Sequence, residues 1–181
     1  MTRTLPALLS AFALAGCAAL QPAPPALPLL SPASLAAPHS AQQLVSAAAG
    51  PAELVMQCAL DADADHVQLV ALTPMGQRIV TLNWNGRDLS AEASEFAPKQ
   101  FDPHQLLSDV QLVLWPLTAW QAALANSDWS VTEPAAGLRR LRYRGRMIEE
   151  IHYTGADPWL GRQWLVNFPL GYSLDIQSAA P

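Results

Sequence analysis

Apolar and polar positions alternate with a period of two through most of the chain beyond Glu53, and a helical period replaces that alternation only in its middle. The first strand is expected over residues 53–60, where Asp61, Asp63 and Asp65 interrupt the apolar run. Two more strand-like runs, residues 66–73 and 77–84, flank Pro74, Met75 and Gly76. A turn at Met75 and Gly76 sets Leu72 opposite Ile79, Ala71 opposite Val80 and Leu69 opposite Leu82. Leu69, Ala71, Val80, Leu82 and Trp84 then share one face, with Val70, Leu72 and Ile79 on the other. Both faces are partly apolar, so one is expected to be covered and the other to line something. Asn85 and Gly86 form the strongest hairpin signal of the sequence and fold residues 87–94 back on the preceding strand.

The helical period begins after Asp102 and Pro103, an N-cap followed by proline at the first helical position. Leu106, Leu107, Val110, Val113 and Leu114 make its apolar stripe. Pro116 breaks that helix and opens a second through Leu117, Trp120 and Leu124. The pair is expected to lie on a sheet as a plug or lid. After a loop over residues 133–137, alternation returns in residues 138–143 and 146–153, joined at Arg144 and Gly145. That turn sets Arg139 opposite Glu150 and Arg140 opposite Glu149, exposed ion pairs that account for part of the local arginine cluster better than an anion site does. Residues 163–168 and 172–177 close the chain as a last hairpin about Pro169 and Gly171.

The N-terminal stretch follows another pattern. Arg3 precedes an apolar run from Leu5 to Ala15, and small residues stand before Cys17 in the order Leu14, Ala15, Gly16. A positive region, a short apolar region and a cleavage zone in that order are expected to form a lipoprotein signal, with Cys17 the lipidated residue. The run is too short to span a bilayer, which takes about 20 apolar residues. Residues 18–38 carry Pro22, Pro24, Pro25, Pro28, Pro32 and Pro38 and no charge. A semi-rigid tether is expected there, about 3.1 Å per residue and up to roughly 65 Å long. A short helix is expected over residues 42–49, ended by Gly50 and Pro51. The organisation is therefore read as residues 1–16 signal, 17–50 lipidated cysteine and tether, and 51–181 one folded domain.

Charge and chemistry narrow the function. Without Arg3 the chain keeps all 15 acidic residues against 9 basic ones, which disfavours nucleic acid as a partner. Cys58, among Val55, Met56, Ala59 and Leu60, reads as a buried, unreactive thiol. The alternating aspartates resemble the start of a calcium loop, but His66 stands where glycine is needed and Leu72 where the closing glutamate belongs, so a solvated turn is expected and no metal. His39, His66, His104 and His152 are scattered, and Glu149 and Glu150 point to opposite faces of a strand, so they cannot act on one substrate together. No catalytic motif, and no cofactor, is read from the chain. With 51% hydrophobic residues and six tryptophans, it carries more apolar surface than one covered core needs, which favours a binder of greasy ligands.

The order of strands, broken helix pair and further strands resembles the LolA/LolB group, soluble half-barrels that hold the acyl chains of lipoproteins. The resemblance to LolB rests on Leu72, Thr73, Pro74, Met75 and Gly76 at one hairpin, residues 85–94 at the next, Pro116, Leu117, Trp120 and Leu124 in the helix, and residues 143–153. It implies an α+β fold, a curved antiparallel half-barrel sheet with helices covering its concave side. It also implies a cavity between sheet and helices lined by Leu69, Val80, Leu82, Trp84, Leu107, Val110, Leu114 and Trp120, and a membrane-inserting tip at Met75. The implied partners are an acyl chain or lipidated cargo, the inner leaflet of the outer membrane through lipidated Cys17, and a periplasmic carrier protein, the protein itself being a monomer. Ala18 after Cys17 is not the aspartate of inner-membrane retention, so a periplasm-facing outer-membrane location is implied. The alternative is a non-catalytic envelope lipoprotein that docks on protein partners.

Overall fold

The computed structural model describes residues 23–179. It is an α+β structure of ten strands in one open antiparallel sheet and two helices. The strands are β1 (His39–Ala49), β2 (Ala52–Ala62), β3 (Val67–Leu72), β4 (Arg78–Trp84) and β5 (Leu89–Ala93), then, after the helices, β6 (Trp129–Ala135), β7 (Leu138–Tyr143), β8 (Arg146–Tyr153), β9 (Gly161–Asn167) and β10 (Tyr172–Ala179). Their spatial order is β5-β4-β3-β2-β1-β10-β9-β8-β7-β6. Two meanders of hairpins thus spread outward from a central β1–β10 pair. Because β5 and β6 are opposite edges, the segment between them must cross a whole face of the sheet, and the helices α1 (Pro103–Leu114) and α2 (Leu117–Ala123) lie in that segment.

Residues 42–49 are not the short helix expected before Gly50 and Pro51 but most of β1. Its inward residues Ala41, Gln43 and Val45 alternate with exposed Ser40, Gln42 and Leu44. Full-length pairing with β2 and long pairing with β10 override a modest local helix preference. The segment read as a tether is correspondingly shorter, and the folded region begins well before residue 51: Leu27, Leu30 and Leu35 are buried in the core, Pro32–Ser34 form a single 3₁₀ turn, and His39 stacks on Trp159 at 4.5 Å between ring centroids. The signal region and Cys17 lie outside the described residues.

Two registers differ from expectation for the same reason. A bulge between Ala71 and Leu72 keeps Leu69 opposite Leu82 and Ala71 opposite Val80, but sets Leu72 opposite Arg78 rather than Ile79. Both Ile79 and Val80 are consequently buried. On β7 and β8, a bulge between Leu141 and Arg142 moves the pairing by one residue. Arg140 therefore faces Glu150, forming an ion pair at 2.7 Å, and Arg139 faces Ile151. Part of the expected loop over residues 133–137 belongs to β6 and its bulged pairing with β7.

The local signals elsewhere act as read. Asp102 accepts a hydrogen bond from the His104 amide at 2.9 Å and Pro103 opens α1. Asn85 accepts from the amides of Arg87 and Asp88, while Gly86 takes a φ of 87°, so the β4–β5 turn is a tight loop. Asp63 accepts from the amides of Asp65 and His66 and closes the β2–β3 turn. Cys58 is buried, and burial pushes its thiol up to about 12.

Arg139, inward on β7, is the one arginine buried in the core among the described residues. Its guanidinium donates to the carbonyls of Leu112 and Trp115 at 2.6 and 2.8 Å and to Glu133 at 2.7 Å. A cation there satisfies carbonyls left open at the end of α1 and complements the helix dipole. Replacing Arg139 with alanine strands those buried acceptors and should lower stability by about 3 kcal/mol. Removing Arg140, whose partner is at the surface, should cost less than about 1 kcal/mol. Urea unfolding of Arg139→Ala and Arg140→Ala against the parent chain measures both.

Candidate functional site

The covered face of the sheet is where the sequence places its binding residues, and the structure brings them together there. Leu69, Val80, Leu82 and Trp84 from β3 and β4 meet Leu107 and Leu114 from α1 and Trp120 from α2 in one buried cluster, with Val110 partly buried at its edge. They do so as packed core, all but Val110 being less than a tenth exposed. In place of the implied cavity, these side chains close on one another, and α1 is buried around almost its whole circumference, not along one stripe. A shallow depression of about 300 Å³ lies on the opposite face, among Ser40, Gln42, Ala59, Asp61, Gln68 and Val70. None of the expected lining residues borders it.

A third component fills the covered face. Residues 27–35 lie against the cluster, with Leu27, Leu30 and Leu35 buried and Leu29 partly so. At Leu30 this segment is held by side chains instead of a neighbouring strand. The Gln111 amide accepts from the Leu30 N–H and donates to the Leu30 carbonyl, both at 2.8 Å, and the Trp84 indole N–H donates to the same carbonyl at 2.9 Å. Gln111 is fully buried, and its carboxamide reproduces the paired donor and acceptor that a strand would offer. Gln111 lies outside the apolar stripe of Leu106, Leu107, Val110, Val113 and Leu114 on α1. Only its partner, 81 residues away, marks it as structural.

A second buried polar group went unseen in the sequence. Asp109 on α1 and Glu149 on β8 face each other across Gln105, whose amide donates to Asp109 at 2.7 Å and to Glu149 at 3.2 Å. The Tyr172 hydroxyl donates to Asp109 at 2.6 Å, and Asn167 donates to Glu149 at 2.7 Å. The second carboxyl oxygen of Glu149 is buried with no hydrogen-bond partner. Burial pushes the Asp109 carboxyl up to about 7, although Tyr172 and Gln105 hold it down in part. Burial, and then the neighbouring Asp109, raises Glu149 well above its ordinary range. The Tyr172 hydroxyl is raised by burial and by the two acids, and so remains a donor. Glu150, next to Glu149, points outward to Arg140 and His152, as the alternation of a strand requires.

Met75 stands at the β3–β4 turn and is 86% exposed. Among the described residues, no group of three or more His, Cys, Asp or Glu side chains is arranged to hold a metal ion, and no helix is long and apolar enough to cross a membrane.

The carboxyl pair sets a sign for the pH dependence of folding. Both groups titrate higher in the folded chain than in the unfolded one, so the folded state holds protons that the unfolded state has lost. Their stabilising contribution is complete below about pH 4; the share from Asp109 is lost as pH rises through about 7, and Glu149, raised well above its ordinary range, acts in the same direction. Glu149→Gln keeps the acceptor for Asn167 and Gln105 and removes one charge. The variant should be more stable than the parent at pH 8 and show a shallower loss of urea midpoint between pH 5 and 8. A parallel decline in both proteins would show that the pair does not titrate in this window.

A family model described as "Protein of unknown function (DUF3261)" matches residues 40–180. No curated protein matches the chain.

Proposed function

The chain belongs to the DUF3261 family, and from that premise we propose that it is a lipid-anchored envelope protein whose sheet acts as a LolA/LolB-like half-barrel, holding an acyl chain or similar apolar cargo on its helix-covered face. Cys17 is the proposed site of acylation, and the inner leaflet of the outer membrane is the proposed location. No catalytic step is part of this reading. The observation that carries it is the segment around Leu30, laid on the apolar face and fixed there by Gln111 and Trp84 instead of by a strand ladder. Such a segment occupies the place a cargo chain would take, and it can leave without breaking a strand pairing.

Magnitudes are compatible with exchange. Three buried leucines stabilise the segment by roughly 1.5 to 3 kcal/mol each. A long acyl chain gains roughly 0.8 kcal/mol per buried methylene, so a chain of about 14 methylenes offsets their loss. Cargo entry then means that residues 27–35 move out while α1 and the sheet stay paired through Arg139 and Tyr153, whose hydroxyl donates to the Val113 carbonyl.

The second reading, a non-catalytic envelope lipoprotein that docks on protein partners, is favoured by one observation: the expected lining residues are packed against one another. Binding separates the two. A fluorescent fatty-acid probe should bind the full chain saturably in the micromolar range and be displaced by long-chain fatty acids. Gln111→Ala leaves the Leu30 N–H unpaired and its carbonyl to the Trp84 indole alone, which weakens the segment by about 2 kcal/mol and should tighten probe binding about tenfold or more. Circular dichroism confirms that the variant folds. Absence of saturable binding by both proteins at about 100 µM would leave the docking reading. Anchoring is tested separately: Cys17→Ser should abolish acylation and shift the protein out of the outer-membrane fraction.

A further inference from the structure

We infer that the protein rests on the bilayer through one apolar rim of its sheet, built from the β1–β2, β3–β4 and β9–β10 turns. This inference rests on the reading of Cys17 as a membrane anchor. The antiparallel registers bring the three turns to the same end of the sheet: Ala49 pairs with both Ala52 and Tyr172, Tyr172 pairs with Asn167, and Leu72 at the end of β3 pairs with Gln57 on β2. Those registers stagger successive turns in one direction, as the tilted strands of a curved sheet do, so the tips end along one rim.

Their chemistry is uniform. Pro74, Met75 and Gly76 form one tip, Gly50 and Pro51 the next, and Phe168, Pro169, Leu170 and Gly171 the third, with no charge in any of them. Met75 is 86% exposed, Leu170 61% and Phe168 53%. Four strand spacings separate the first tip from the third, an arc on the order of 20 Å. A single exposed apolar residue is ordinary, but several large ones on neutral tips along one rim exceed what scattered exposure supplies.

The opposite rim fixes the orientation. Its turns carry Asp63, Asp65, Asp88 and Asp157 against Arg87. Anionic headgroups repel that end, while the three neutral tips enter the acyl boundary; the β7–β8 turn beside the β9–β10 tip carries Arg144, ion-paired with Asp128, and stays at headgroup level. The anchor permits this placement. Cys17 precedes buried Leu27 by ten residues, a contour of at most about 35 Å, close to the length of an 11-residue strand. A domain so closely tied spends its time against the bilayer, and the apolar rim determines which end meets it.

Depth-dependent quenching tests the inference without any cargo. The full-length chain is reconstituted in vesicles of phosphatidylethanolamine and phosphatidylglycerol, carrying an environment-sensitive thiol label at Leu170→Cys or, in a separate chain, at Asp88→Cys. Buried Cys58 is protected, and the parent chain sets the background. Doxyl-labelled lipid should quench the label at position 170 at least threefold more than at position 88. Adding Met75→Glu to the Leu170→Cys chain should reduce that quenching by half or more, because the tips act as one rim. Equal quenching at the two positions, or quenching at 170 that ignores Met75→Glu, overturns the inference. Label taken up by the parent chain at Cys17 would instead count against acylation and leave the comparison between positions 170 and 88 intact.

Discussion

A helix that must cross the face of a ten-stranded sheet, and is buried nearly all round in doing so, is the constraint on which the rest of this structure depends. The two edge strands are consecutive across the helical segment, so the chain has no other way to continue from β5 to β6. An amphipathic helix resting on a surface could turn its polar side to water. α1 cannot, and each of its polar groups needs a partner inside the protein. Asp102 caps its start, Asp109 meets Tyr172, Gln111 meets Leu30, and Arg139 and Tyr153 take carbonyls at its end.

Those partners come from separate parts of the chain, and this makes α1 the element that ties the two meanders together. Tyr172 and Glu149 belong to β10 and β8, Arg139 to β7, and Trp84 to β4, which reaches α1 indirectly through the Leu30 carbonyl. The contacts differ in kind. Arg139 and its carbonyls form a closed, charge-complementary end. The Asp109–Glu149 pair, bridged by Gln105, is a proton-dependent site midway along α1, with one carboxyl oxygen left unpaired. The Gln111–Leu30 contact holds a segment that pairs with no strand. Three kinds of contact are thus distributed along a single helix.

The outer parts of the molecule show a matching polarity. Three turns at one end, β1–β2, β3–β4 and β9–β10, are neutral and apolar, while the β7–β8 turn there carries Arg144 paired with Asp128; the turns at the other end hold Asp63, Asp65, Asp88 and Asp157. Neither set is required by the hydrogen bonding of the sheet, since Asp63 and Asn85 close their turns through side-chain acceptors that tolerate many neighbours.

The sequence by itself determined what short-range physics decides. Asp102 and Pro103 start a helix through one capping bond, Pro116 breaks and restarts it, and Asn85–Gly86 turns a hairpin because few residues accept that backbone. The alternating runs gave β3, β4, β7 and β8 and the inward set Leu69, Val80, Leu82 and Trp84. Tertiary structure decided the rest. Residues 42–49 became a strand only because β2 and β10 flank them, and two bulges moved Leu72 and Arg139 off their simple registers. Asp109 and Gln111 look like surface residues of a helix until partners 63 and 81 residues away bury them. Whether the apolar face is open or filled was likewise beyond local reading, because the segment that fills it is proline-rich chain whose burial depends on a glutamine and a tryptophan far along the sequence.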